Sequence, residues 1–115
     1  MSLARIVFAQ KKLRKRYGYK GSVAGRYLEA GFSVRLNIRT KSGVLDILAV
    51  KGSTRLAIDV RTIDEVREDD LASLAEKAKS LKAKPVLVVY GAGGKLDDKV
   101  VSKAHEYGIL IKRVR

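Results

Sequence analysis

The sequence predicts a single α/β domain in which a mixed sheet is flanked by helices. Three observations carry this. Three strand-like runs follow one another between residues 32 and 60, separated only by short turns, the pattern of an antiparallel meander. Two helix-like segments then alternate with two apolar runs. Finally, 115 residues of which 46% are hydrophobic suffice for one core without disulfides or a structural metal.

In chain order, Leu3, Ile6, Val7, Ala9 and Leu13 recur at helical spacing and suggest a short helix over residues 3–16 that ends in a basic run. Residues 17–21 read as a glycine-broken loop. Ser22 can cap a helix running to about Ala30, with Val23, Ala24, Tyr27 and Leu28 as its apolar face and Gly31 as its stop. Over residues 32–39, Phe32, Val34, Leu36 and Ile38 alternate with Ser33, Arg35, Asn37 and Arg39. Residues 44–50 and 56–60 are apolar except for Asp46 and Asp59, with turns at 41–43 and 51–53. A helix is expected over 66–83, with acids at its start and Lys77, Lys79, Lys82 and Lys84 near its end, as the helix dipole favours. Pro85 opens a buried strand over 86–90, residues 96–107 read as a helix, Gly108 breaks it, and residues 109–111 form a last strand.

Charge is distributed unevenly. The chain carries a formal +13, and residues 1–41 hold 11 Lys/Arg against the single acid Glu29. A solvated, charge-rich surface would mix both signs, as residues 42–115 do with 14 basic and 11 acidic residues. The one-sided first third instead points to a polyanion partner, and phosphate backbones are the commonest. No cysteine is present, and His105 is the lone histidine, so thiolate sites and multi-histidine zinc sites within one chain are excluded. No apolar run approaches the ~20 residues that span a bilayer, and no signal peptide is read, so an intracellular location without membrane contact is expected.

The acids Asp46 and Asp59 carry the chemistry. Each sits in an apolar strand, where an ionised carboxylate is costly unless it is paired or holds a cation. They lie on consecutive strands joined by a short turn, so strand pairing brings them to neighbouring positions. Two carboxylates beside a backbone carbonyl suit Mg²⁺ or Mn²⁺, which can activate water against a phosphodiester. The alternative is a pair of structural acids bonded to lysine, arginine or amide groups.

Three segments carry a family resemblance. Residues 20–34 (KGSVAGRYLEAGFSV) resemble the opening helix and first strand of the archaeal Holliday junction resolvases. Residues 43–51 (GVLDILAVK) resemble their Gly…Asp-Ile strand, and residues 56–62 (LAIDVRT) the Ile-Glu-Val-Lys strand of the wider PD-(D/E)XK nucleases. The resemblance implies a restriction-endonuclease-like αβββαβ core, Asp46 as metal-binding aspartate, Asp59 at the (D/E) position and the Val60 carbonyl as a further ligand. It also implies a two-fold homodimer. Two positions depart from the pattern. The lysine position holds Arg61, which stays protonated and cannot act as a base, although it can neutralise phosphate charge. The glutamate of the opening helix falls on Gly25, and Glu29, one turn further on, is the alternative.

The run Lys11, Lys12, Arg14, Lys15, Arg16 and Lys20 interleaves with Tyr17 and Tyr19. Phosphate contact by these cations, with base stacking on a tyrosine, would suit branched or single-stranded DNA. Arg26, Arg35 and Arg39 are further candidates for the nucleic-acid face. Residues 91–95 lack the spacing of a phosphate loop and read as a plain turn. Two functions stay open: a Mg²⁺-dependent endonuclease on branched DNA using Asp46, Asp59 and Arg61, or a catalytically inactive paralogue that binds DNA or docks a partner. An RNA-directed role is a third option.

Overall fold

The computed structural model describes residues 18–91 and 94–114. The helix expected over 3–16, and with it Lys11, Lys12, Arg14, Lys15 and Arg16, lies outside the described residues.

Helix α1 (Tyr19–Glu29) precedes strands β1 (Ser33–Thr40), β2 (Gly43–Lys51) and β3 (Thr54–Thr62); a 3-10 turn (Ile63–Glu65), α2 (Glu68–Ser80), β4 (Lys84–Tyr90), α3 (Asp98–Glu106) and β5 (Leu110–Val114) complete the order. The five strands lie in sequence order across one sheet. β1–β2 and β2–β3 pair antiparallel, whereas β3–β4 and β4–β5 pair parallel. The expected meander and αβββαβ order are therefore present in a mixed sheet.

The sheet is packed on both faces. Val23 and Ala24 of α1 close over Ile47, Ala49, Ile58, Val86 and Val88. On the opposite face Leu71, Leu74 and Ala78 of α2, with Val100 and Ala104 of α3, cover Leu45, Leu48, Ala57, Leu87 and Val89. A parallel strand buried on both faces reads as a continuous apolar run, which is why residues 86–89 are all buried.

Helix α1 starts a turn earlier than the sequence suggests. Gly18 is its N-cap at φ 62°, and the Ser22 amide donates to the Gly18 carbonyl at 3.0 Å. Ser22 is thus inside the helix rather than its cap. Gly21 does not break the chain as expected: it lies within α1 and is buried, as are Ala24 and Gly25. α2 begins two residues later than expected because Val66 and Arg67 are extended, Arg67 serving as N-cap; its first turn is closed by the Asp70 carboxylate accepting from the Arg67 amide at 3.0 Å. In α3 the Asp97 carboxylate caps by accepting from the Lys99 amide at 2.8 Å.

The side-chain alternation breaks at one place. Val34 and Leu36 pack on the α1 side, but Ile38 joins the α2/α3 side. Between them Asn37 takes φ 54°, a left-handed conformation that an asparagine tolerates. The register that pairs Leu36 with Ile47 and Ile38 with Leu45 sets Asn37 opposite Asp46. On β2 the same switch occurs, with Ile47 on the α1 side and Leu45 on the other. Asp46 therefore sits where the sheet twists and a side chain can leave the core layer.

Candidate functional site

The β2–β3 ladder runs from Lys51↔Thr54 to Ile47↔Ile58, its last paired residues. Just beyond it the two aspartates take over the backbone groups of the opposite strand. The Asp46 amide donates to Asp59 Oδ1 at 3.0 Å, and the Val60 amide donates to Asp46 Oδ2 at 2.8 Å. Each carboxylate thus satisfies a buried donor that the splayed strands would otherwise leave unpaired. Asp46 and Asp59 are 7% and 1% exposed, so both charges need partners.

Three cations supply them. Lys20 of α1 places Nζ 3.0 Å from Asp46 Oδ1 and donates to Asn37 Oδ1 at 3.1 Å. Lys77 of α2, itself 4% exposed, reaches Asp59 Oδ2 at 3.0 Å. Arg61 enters from β3: its Nη1 donates to Asp46 Oδ2 at 3.0 Å and to the Val60 carbonyl at 2.8 Å, while Nη2 lies 3.9 Å from Asp59 Oδ2. Three of the four carboxylate oxygens accept an N–H hydrogen bond and the fourth, Asp46 Oδ1, is ion-paired with Lys20, so the cluster sets three cationic side chains against two carboxylates.

The arrangement brings Asp46, Asp59, Val60 and Arg61 together, as the sequence suggests. Charge and lone-pair use decide whether it suits a divalent ion. Arg61 Nη1 bridges the Asp46 carboxylate and the Val60 carbonyl, two of the three oxygens expected to hold Mg²⁺ or Mn²⁺. A dication there would stand beside Lys20, Arg61 and Lys77. Among the described residues, no group of three or more His, Cys, Asp or Glu gathers at a common point. The residues as arranged do not fit a resident divalent cation. Gly25, at the expected glutamate position, is buried in α1. Glu29 does not replace it: it is exposed at the far end of α1, nine residues and thus about 13 Å along the axis from Lys20.

The remaining candidates are spread over the surface. Arg26 is exposed on α1, and Arg35 and Arg39 are exposed on β1. Lys20, expected to contact phosphate, is half-buried, with its ammonium beside Asp46. Two site residues escape the sequence reading. Asn37 reads there only as part of a polar strand face. Lys77 reads as a helix-end charge, although it lies three residues after Leu74 and six after Leu71, on the apolar face of α2. A lone lysine at such a position signals a buried partner.

A cleft of about 200 Å³ opens beside the cluster, lined by Tyr19, Lys20, Val60, Arg61, Thr62 and Glu65. The Thr62 hydroxyl bonds to the Glu65 carboxylate and holds its pKa below the ordinary 4.5, so Glu65 is an anion at neutral pH. A larger hollow of about 380 Å³ lies over the α1 side of the sheet and is lined without a carboxylate.

No known sequence family matches the chain, and no curated protein matches it. Solved structures do. SfsA of Pyrococcus furiosus, in complex with Ca²⁺, superimposes with a TM-score of 0.60 at 13% identity, covering 82% of this chain and 55% of that one. The protein of unknown function AF1548 gives a TM-score of 0.57 at 13% identity, covering 79% of this chain and 54% of that one. The chain therefore spans about half the length of these two structures. What it shares with them is the fold: an α/β domain built on a five-stranded mixed sheet flanked by helices.

Proposed function

We propose that the protein is a DNA-binding module on a nuclease-type fold, in which the acid pair is neutralised by the chain's own cations and no longer serves cleavage. The observation that carries this is Arg61, whose Nη1 donates to both Asp46 and the Val60 carbonyl. Its guanidinium neutralises the carboxylates but, staying protonated, cannot accept a proton from water. Lys20 and Lys77 complete the neutralisation. DNA would lie along the β1 edge of the sheet, where Arg35, Arg39 and Lys41 are exposed, and beside it along α1, where Arg26 is exposed; residues 11–16 add basic charge in sequence. The exposed acids Glu68, Asp69 and Glu76 of α2 make that helix the unfavourable side. The junction preference and the two-fold dimer belong to the proposal through the resemblance to the resolvases.

A second reading keeps the endonuclease. Its support is the convergence of Asp46, Asp59 and the Val60 carbonyl beyond the last rung of the β2–β3 ladder. A gel-shift and cleavage assay on a labelled four-way junction, a matched duplex and a matched RNA duplex decides between the readings. Salt-sensitive DNA binding without cleavage in Mg²⁺ or Mn²⁺ is expected. Cleavage by the wild type that Asp46→Ala abolishes would establish the endonuclease. Cleavage gained only in Arg61→Lys would assign the loss of activity to that position. Preference for RNA, or no binding at all, would overturn the DNA reading.

A further inference from the structure

We infer that Tyr19 is a stacking platform for an unpaired DNA base, with the flanking phosphate held by Lys20 and Arg61 at the mouth of the acid cluster. This deepens the DNA-binding reading and rests on it. Tyr19 is the first residue of α1 and is 57% exposed. Its ring stacks on that of Tyr90 at the end of β4, with centroids 4.3 Å apart and planes 28° from parallel. Tyr90 is half-buried and tied into the sheet by its pairing with Thr62 and Val114. One face of Tyr19 is thus fixed against a ring anchored in the sheet, while more than half of the residue is exposed. A large aromatic surface held this way loses little freedom when a ligand covers it.

The neighbouring groups define what that ligand is. Tyr19, Lys20 and Arg61 line one cleft together with Thr62 and Glu65. Lys20 uses two contacts, to Asp46 and Asn37, and an ammonium carries three donors. Arg61 uses Nη1 for Asp46 and the Val60 carbonyl, and a guanidinium carries five donors. An aromatic face beside such donors matches one nucleotide, with base on ring and phosphate on cations. A base inside a duplex is covered on both faces and cannot offer itself to Tyr19, so the base must be unpaired. The Glu65 carboxylate at the edge of the cleft repels a second phosphate, which limits the seat to one nucleotide rather than a running strand.

The test compares a labelled duplex carrying one bulged adenine with the same duplex fully paired and with an abasic bulge. Wild type binds the adenine bulge about tenfold more tightly than the other two, the scale of one base stacked on an aromatic side chain. Tyr19→Phe keeps that preference. Tyr19→Leu abolishes it while leaving paired-duplex affinity within about twofold, because phosphate contacts elsewhere are untouched. Since the chain has no tryptophan, Tyr19→Trp provides a second measurement that does not depend on the leucine variant folding. Its emission is quenched by the adenine bulge and not by the abasic bulge. Equal affinity of wild type for all three duplexes, or equal response of Tyr19→Trp to both bulges, overturns the platform while leaving the DNA-binding reading intact. Failure to bind any of the three overturns both.

Discussion

Replacing Lys77 by methionine isolates the physics of the cluster. Lys77 is 4% exposed, and its ammonium lies 3.0 Å from the carboxylate of Asp59, which is 1% exposed. Methionine preserves most of the buried stem and removes only the charge. Asp59 then keeps the Asp46 amide and an Arg61 nitrogen at 3.9 Å, too distant for a hydrogen bond. Stranding one member of a buried ion pair costs about 3–5 kcal/mol, a large part of the 5–15 kcal/mol typical of a domain. With an unfolding entropy of about 2 cal/mol/K per residue, each kcal/mol is about 4 °C for a chain this long, so Tm falls by about 12–20 °C. Urea unfolding followed by circular dichroism reads the free energy directly. Adding Asp59→Asn to Lys77→Met removes the stranded charge, yet the introduced carboxamide oxygen can still accept from the Asp46 amide. The double variant should therefore be at least about 1 kcal/mol more stable than Lys77→Met alone, a coupling expected of contacting residues. A Lys77→Met variant within about 1 kcal/mol of wild type would refute the claim that Lys77 neutralises a buried carboxylate.

Other consequences are open to direct measurement. Leu71→Ala removes a fully buried side chain from the α2 face and should cost about 2–5 kcal/mol in urea unfolding. Lys82 holds φ 52° just after α2, so Lys82→Gly should leave stability equal or raise it by up to about 1 kcal/mol, whereas Lys82→Val should lower it. Glu65 has a folded-state pKa below its unfolded value, so its bond to Thr62 contributes stability above the unfolded pKa and loses it as pH falls through the folded one. Thr62→Val should accordingly return the Glu65 midpoint, followed by carboxyl chemical shift, toward 4.5. DNA affinity should fall with salt with a log–log slope of about 0.9 per phosphate contacted, and Arg35→Ala with Arg39→Ala should reduce that slope by about one to two.

Most of the fold is legible in the sequence because each element has a local cause. The alternation over residues 32–39 and the run over 86–89 each specify a strand without outside help, the glycine turns mark where strands end, and the observed sheet contains both strands. The helix start at Tyr19 is not legible. Gly21 carries no local sign that distinguishes a breaker from a small residue needed for close packing, and only the sheet beneath α1 decides. The acid pair is visible because charge in an apolar strand demands an explanation. What answers that demand is less visible. Lys77 and Lys20 come from helices on opposite faces of the sheet, 57 residues apart in sequence, and only the fold brings them to one point. Asn37 reveals its role through a backbone angle that its residue type permits but does not require.

The most direct test of an acid pair neutralised from within is a Mn²⁺ titration of the metal-stripped protein at low ionic strength, read by calorimetry and by the electron paramagnetic resonance of free Mn²⁺. The expected result is no stoichiometric binding to wild type, and a site gained in Arg61→Ala that is lost again when Asp46→Ala is added. One Mn²⁺ bound per wild-type chain, and abolished by Asp46→Ala, would contradict it, and would return Asp46, Asp59 and the Val60 carbonyl to the role of metal ligands.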